Sequence, residues 1–130
     1  MNTRTVLTTA AVVALLFAVG LVLMPGFMGQ LFGLGTSPAQ DLVARFFGTG
    51  LLAVGLINWL AKDMDYATLR PILLGNLVAD AVGLIVSLMG TLGGVMSSLG
   101  WLSVVIYLVL SLGFAYLQFM GQPVSVRQRA

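Results

Sequence analysis

Four long apolar runs, separated by short connections, limit how this chain can fold. They cover Val6–Met24, Pro38–Ala61, Leu69–Met89 and Ser98–Met120. Each is close to the length of about 20 residues that a helix needs to cross the hydrocarbon core of a bilayer. Lipid cannot hydrogen-bond the backbone, so each run must satisfy its own peptide groups as a helix. The sequence therefore predicts a single all-α domain over residues 1–130, a membrane-embedded antiparallel four-helix bundle.

The composition agrees with a membrane location and excludes several kinds of chemistry. The chain is 59% hydrophobic and 8% charged, whereas a soluble domain carries about 25% charged residues. It contains no cysteine and no histidine, which removes disulfides, thiolate metal sites, and the commonest metal ligand and general base. Its 6 lysines and arginines form no basic patch of the kind that binds nucleic acid. We therefore predict no catalytic residue, no metal site, no cofactor and no enzymatic activity.

The first apolar run has an arginine ahead of it, as a signal peptide does, but it differs at its end. The run stops at Met24-Pro25-Gly26, without the small-x-small site at which a signal peptide is cleaved. We therefore expect a retained helix. The uncharged segment Phe27–Thr36 that follows is expected to form a short interfacial or re-entrant turn.

The connections also carry residues that mark helix boundaries. Ser37 and Pro38 predict a capped start for the second span, with serine at the N-cap and proline at the first helical position. Gln40 is expected to close a capping box by reaching back to the cap. Either Asp65 or Thr68 is expected to cap the third span.

The positions of the basic residues predict the orientation of the chain. Arg4, the loop region of Lys62 and Arg70, and the two arginines of residues 121–130 must lie on one side of a four-span protein. The other two connections contain no lysine or arginine. Because basic loops are retained in the cytoplasm, both termini are expected there. Residues 121–130 are expected to form a mobile cytoplasmic tail.

A carboxylate inside the third span, Asp80, is the polar residue that most needs an explanation, since a charge at bilayer depth is costly unless it is paired. In an antiparallel hairpin, the numbers of two residues at equal depth add up to nearly the same value along the whole hairpin. We call this value the index sum. These sums place Asp80 level with Tyr107, and Asn76 level with Ser111. Asn76 and Asp80 are four residues apart and so share one helical face. The spacing predicts a polar core between the third and fourth spans.

Arg45 in the second span is the predicted counter-charge. Asp41 lies four residues earlier, a spacing that permits an ion pair along one helix. By the same index sums, Arg45 lies about five residues, or roughly 7 Å, outward of Asp80, which an extended arginine can reach. We therefore predict a structural polar network of Asp41, Arg45, Asp80, Tyr107 and Ser111. A ligand-binding site would use Arg45, Asn76, Asp80 and Tyr107.

Three interpretations of this polar network stay open. It holds the helices together, it lines a pathway for a ligand, ion or proton, or Asp80 is buried by chance in its protonated form. Small residues four apart allow close helix packing, and they are Ala44 and Gly48 in the second span and Gly75, Ala79 and Gly83 in the third. Their spacing fits packing within the bundle, in a homo-oligomer or against another membrane protein equally well.

Three segments resemble a known group of proteins. They are LMPGFMGQLFGLG over residues 23–35, ARFFGTGLLAVGLINWLAKD over residues 44–63 and GWLSVVIYLVLSLGFAYLQF over residues 100–119. This pattern of apolar residues and glycines is similar to small bacterial four-helix membrane proteins of the DoxX-like and DUF4345-like groups. The resemblance implies a four-span bundle in the inner (plasma) membrane of a bacterium, with cytoplasmic termini, and it transfers no catalytic residue. Arg45 lies in the A-R-x-x-G segment near the start of the second helix.

Three functions are compatible with these observations. The first is an accessory or structural subunit of a membrane assembly, because the chain has almost no mass outside its spans. The second is a binder or carrier of a small amphiphile, a lipid or a quinone, through Arg45, Asp80 and Tyr107. The third and least favoured is a transporter or channel subunit, since the first span lacks the carboxylate that small multidrug transporters need there. The expected partners are the lipid bilayer and either another membrane protein or a second copy of the chain.

Overall fold

A computed structural model of the chain describes residues 2–120. Over these residues the protein is all-helical, and four of its helices are long and apolar enough to cross a membrane. The helices are α1 (Thr3–Leu23), α2 (Pro25–Leu31), α3 (Pro38–Ala61), α4 (Tyr66–Leu92) and α5 (Gly100–Phe119). The predicted mobile tail, residues 121–130, lies outside the described residues.

Local sequence signals explain where α3 and α4 begin. The Ser37 hydroxyl caps α3 by accepting a hydrogen bond of 3.1 Å from the backbone N–H of Gln40. Within residues 2–120 the predicted capping box is not formed, and the side-chain amide of Gln40 donates to the Leu34 carbonyl at 3.1 Å. Asp65 caps α4, where its carboxylate accepts from the backbone N–H of Thr68 at 3.1 Å. Each cap satisfies a backbone donor that the first turn of a helix leaves free.

The uncharged segment after α1 forms a short helix before the chain turns. Met24 separates α1 from α2, which has Pro25 at its first position. Beyond α2, the backbone carbonyl of Phe32 accepts from the backbone N–H of Ser97 at 2.8 Å. The Ser97 hydroxyl also donates to the Leu31 carbonyl at 3.0 Å. These two bonds join the end of α2 and the residue after it to the connection between α4 and α5. We call the end of the molecule with these two connections the uncharged end, because residues 32–37 and 93–99 contain no charged residue.

Small residues allow α1 and α3 to pack closely. Gly48 and Gly55 of α3 are both buried. A Cβ atom added to Gly55 would lie 2.7 Å from Cγ of Leu15, and one added to Gly48 would lie 2.9 Å from Cβ of Leu21. The matching buried alanines of α1 are Ala11, Ala14 and Ala18. Later residues of α3 therefore contact earlier residues of α1, as in an antiparallel pair of helices.

The second close pair of helices is α4 and α5. The Tyr66 hydroxyl, at the start of α4, donates to the Leu117 carbonyl near the end of α5 at 2.9 Å. Further along α4, Gly83 lies against the ring of Tyr107. The contacts again proceed in opposite order along the two helices. The hydrogen bond from Tyr66 also satisfies the Leu117 carbonyl, which lies in the last turn of α5, where carbonyls have no partner within the helix.

An apolar cluster joins all four long helices near the ends that carry the charged residues. Its buried members are Val6, Leu7, Ala10, Ala61, Leu69, Leu73, Leu110, Phe114 and Leu117. Beside this cluster, the Arg4 guanidinium pairs with the Asp63 carboxylate, and the Lys62 ammonium lies 3.8 Å from Oδ2 of Asp63. The Lys62 ammonium also lies 4.0 Å from the ring centre of Trp59. We call this the charged end, and it brings the start of α1 to the loop between α3 and α4.

Large apolar side chains cover much of the outer surface of the long helices. Leu60, Met89 and Phe119, for example, are each at least 70% exposed. Water would penalise so much exposed apolar area, whereas lipid tails would not. The exposed faces therefore agree with the membrane-spanning length of these helices.

Candidate binding cavity

A cavity of about 120 Å³ lies between the four long helices, and we call it the central cavity. Most of its lining is apolar and comes from Ala10, Val13, Ala14, Phe17, Phe47, Leu51, Val54, Ile106 and Leu110. Five polar residues complete the lining, namely Asn58, Asn76, Asp80, Ser103 and Tyr107. An apolar cavity with a few converging polar groups is the usual form of a small-molecule site.

Two asparagines form a reciprocal amide pair across α3 and α4. The Asn58 amide donates to Oδ1 of Asn76 at 2.9 Å, and the Asn76 amide donates to Oδ1 of Asn58 at 2.8 Å. The Asn76 amide also donates to the Ile72 carbonyl at 2.9 Å, so both of its hydrogens are used. Asn58 is 1% exposed. The pair therefore connects the two helices through their polar side chains in the cavity wall.

Asp80 lies one turn beyond Asn76 on α4 and is in a different situation. Its side chain is half-buried. Its Oδ2 atom is fully buried and has no hydrogen-bond partner within residues 2–120. A buried carboxyl oxygen without a partner is costly, so this atom is a free polar group in the wall of the central cavity.

Tyr107 reaches the same cavity because α4 has a glycine opposite its ring. A Cβ atom added to Gly83 would lie 2.5 Å from Cε1 of Tyr107, which no side chain could occupy without displacing the ring. Gly83 follows Asp80 by three residues and so lies on nearly the same helical face. The close approach at Gly83 therefore holds the aromatic ring next to the cavity wall that carries Asp80.

Ser111 lies outside the central cavity, although its depth was predicted to match that of Asn76. It is buried, and its hydroxyl has no hydrogen-bond partner in the described part of the chain. Asn76 bonds to Asn58 on α3 instead. The index sums give the depth of a residue but not the side of the helix on which it lies.

Arg45 is also separated from the other predicted site residues. It is exposed, and within residues 2–120 its guanidinium forms no ion pair with Asp41 or Asp80. Asp41 instead accepts a hydrogen bond of 2.8 Å from the Thr36 hydroxyl. Successive residues are rotated by about 100° around a helix, so Arg45 turns away while Ala44 faces inward. The predicted bridge from Asp41 through Arg45 to Asp80 is therefore not formed.

A second cavity, of about 720 Å³, adjoins the central one toward the uncharged end. Its lining comes from α1, α2, the start of α3 and the connection between α4 and α5, and it is mostly apolar. Phe17, Phe47 and Ser103 line both cavities. These three side chains therefore form the boundary between the two spaces.

The structure brings together Asn76, Asp80 and Tyr107 of the predicted ligand site and adds Asn58 and Ser103. The predicted ligand site contained neither residue, and Asn58 is the one that pairs with Asn76. Its index sum with Asn76 is close to that of the α3–α4 hairpin, so its depth was readable from the sequence. What the sequence did not indicate was that α3 turns this side chain toward α4.

No family model, curated protein or solved structure matches the chain. The resemblance to the DoxX-like and DUF4345-like groups stays a prediction. The functional interpretation therefore depends on the geometry of the two cavities and of the helix surfaces.

Proposed function

We propose that this protein is a membrane protein that binds a small amphiphile in the central cavity, without catalysing a reaction. The observation that carries the proposal is the cavity itself, which combines an apolar lining with the unpartnered Oδ2 atom of Asp80. An amphiphile needs both an apolar environment and a polar contact that fixes its orientation. Such a ligand would supply the partner that residues 2–120 do not provide to Oδ2 of Asp80.

The cavity volumes support a ligand with a compact head and an apolar extension. Buried cavities of roughly 150 Å³ hold a molecule the size of benzene, and the central cavity has about 120 Å³. A head group or a small ring fits this volume. The second cavity, with about 720 Å³, adjoins it and has room for an apolar chain.

A cavity-filling substitution tests this proposal. Ser103→Leu adds apolar volume where the two cavities meet. Ser98→Leu makes the same chemical change at an exposed position outside both cavities. Native mass spectrometry of protein extracted in mild detergent should detect a small bound molecule in the wild type and in Ser98→Leu, but not in Ser103→Leu. A molecule retained equally by all three proteins, or absent from all three, would refute binding in the cavity.

We also propose that the four long helices form an antiparallel bundle that spans the inner membrane of a bacterium, with both termini in the cytoplasm. The reversed order of contacts in the α1–α3 and α4–α5 pairs supports this arrangement. The charged end collects Arg4, Lys62 and Asp63, and basic residues favour the cytoplasmic side. The uncharged end would then face the opposite side of the membrane.

Cysteine labelling tests this topology, because the chain has no native cysteine. Met64 at the charged end and Thr36 at the uncharged end are both exposed. A membrane-impermeant maleimide applied to intact spheroplasts should label Thr36→Cys and not Met64→Cys, and permeabilised cells should show both. The reverse pattern would overturn the orientation, and labelling of both sites in intact spheroplasts would overturn the spanning arrangement.

An accessory role in a larger membrane assembly is a second candidate, and one observation favours it. Gly75 and Ala79 on α4 are exposed, and a Cβ atom added to Gly75 would meet nothing within 4 Å. Small residues four apart on an outer helix face allow another membrane helix to approach closely. The partner would be a transmembrane helix of another protein or of a second copy of the chain.

Substitutions on this small-residue face separate the second candidate from the first. Ala79→Leu would block a close helix contact, whereas Ala67→Leu makes the same change at an exposed position near the start of α4. Under the accessory hypothesis, a co-purifying partner is lost in Ala79→Leu and kept in Ala67→Leu. Loss of the partner in both variants, or in neither, would refute a contact through this face.

A further inference from the structure

The unpartnered oxygen of Asp80 restricts the chemistry of the ligand head. Within residues 2–120, none of the lysines and arginines lines the central cavity. Both amide hydrogens of Asn76 are already used, on Asn58 and on the Ile72 carbonyl. The cavity wall therefore offers no positive charge to the Asp80 carboxyl group, and within residues 2–120 its Oδ2 atom accepts no hydrogen bond.

A carboxylate in an apolar cavity needs both a hydrogen-bond donor and a compensating charge. We propose that the ligand is an amphiphilic amine whose ammonium group donates to Asp80. This inference rests on the proposed function and specifies the ligand class. An ammonium supplies donor and charge in one group, whereas a hydroxyl head supplies the donor alone and a carboxylate head repels Asp80.

The aromatic side chains around the site fit the same ligand class. Tyr107 lines the central cavity beside Asp80 on the neighbouring helix, and a cation over a tyrosine ring is attracted to it. Phe17 and Phe47 line both cavities, so an alkyl chain attached to the ammonium passes between them. The second cavity then holds the rest of the chain.

Three probes of equal chain length test the choice of head group, namely octylamine, octanol and octanoate. Their binding to the full-length protein in mild detergent is measured by equilibrium dialysis against protein-free micelles, which corrects for partition into detergent. Octylamine should bind about tenfold more tightly than octanol or better, because hydrogen bonds to charged groups contribute about that much. Octanoate should bind most weakly.

Two variants with the same change of charge identify the carboxylate responsible. Asp80→Asn should abolish the preference for octylamine over octanol. Asp63→Asn should leave the preference unchanged, because Asp63 is exposed at the charged end, where it pairs with Arg4. A preference that survives Asp80→Asn, or that disappears in Asp63→Asn as well, overturns the inference. Should Asp80→Asn fail to fold, the order of the affinities of the wild type for octylamine, octanol and octanoate tests the inference without the variant.

The outcomes distinguish this inference from the proposed function. Octanol or octanoate binding as tightly as octylamine refutes the amine head but leaves a cavity that binds amphiphiles. Absence of binding by all three probes, together with no native ligand in mass spectrometry, refutes both. Phe47→Trp tests the path of the chain, since a larger ring at the boundary should weaken octylamine binding more than butylamine binding. Equal effects on both amines overturn the route into the second cavity.

Discussion

The reciprocal amide pair between Asn58 and Asn76 tests how α3 and α4 are held together. We consider substitution of each asparagine by leucine, which is also branched at Cγ, together with the double substitution. The two reciprocal bonds are 2.9 and 2.8 Å long, and Asn58 is 1% exposed. Removing one partner leaves the other amide without its two interhelical hydrogen bonds, whereas removing both leaves an apolar contact.

The expected magnitudes follow from this geometry. Each single substitution should lower the free energy of unfolding by about 1–3 kcal/mol, the cost of one unsatisfied buried polar group. Hydrogen bonds between membrane helices contribute about 0.6 kcal/mol each on average, so two reciprocal bonds give a coupling of about 1 kcal/mol or more. The double variant should therefore lose less stability than the sum of the two single losses.

The assay is unfolding of the purified protein by dodecyl sulfate in mixed micelles, followed by circular dichroism. Ser111→Ala is the matched control, because the Ser111 hydroxyl is buried and has no hydrogen-bond partner within residues 2–120. That variant should differ little from the wild type. If the stability loss of the double variant equals the sum of the Asn58→Leu and Asn76→Leu losses to within about 0.5 kcal/mol, the two sites are independent. That result would refute the pairing.

Three further substitutions test local features of the fold with the same unfolding assay. Gly83→Ala should destabilise the protein by about 1–3 kcal/mol, because its methyl group collides with the ring of Tyr107, and a neutral result would contradict the close α4–α5 contact. Tyr66→Phe should cost about 1 kcal/mol, since the hydroxyl that donates to the Leu117 carbonyl at 2.9 Å is lost, and an unchanged midpoint would exclude that bond. Ser37→Ala should cost about 0.5–2 kcal/mol by removing the N-cap of α3, whereas Ser37→Asp, which keeps an acceptor there, should not.

Much of the helical architecture was readable from the sequence. The second predicted span and α3 cover the same residues, because Ser37 and Pro38 mark a helix start that depends only on neighbouring residues. The structure extends the third span at both ends, to Tyr66 and Leu92, where polar or small residues weaken the apolar signal. The short helix α2 was expected only as a turn, since seven residues carry too little periodicity to indicate a helix.

The candidate site was only partly readable. Index sums placed Asp80 and Tyr107 at matching depth, and both line the central cavity. The same reasoning failed for Arg45, because depth along a helix says nothing about rotation around its axis. The pairing of Asn58 with Asn76 depends on that rotation, and so does the free oxygen of Asp80.

The sequence by itself determined that the chain forms helices of membrane-spanning length, where some of them begin, and that connections with lysine or arginine alternate with connections without them. These properties follow from composition and from residues that are close along the chain. Only the tertiary structure decided which face of each helix points inward. Lipid gives no hydrophobic force that would select an inward face, so rotation is set by close contacts such as those at Gly48, Gly55 and Gly83, which involve residues distant in sequence.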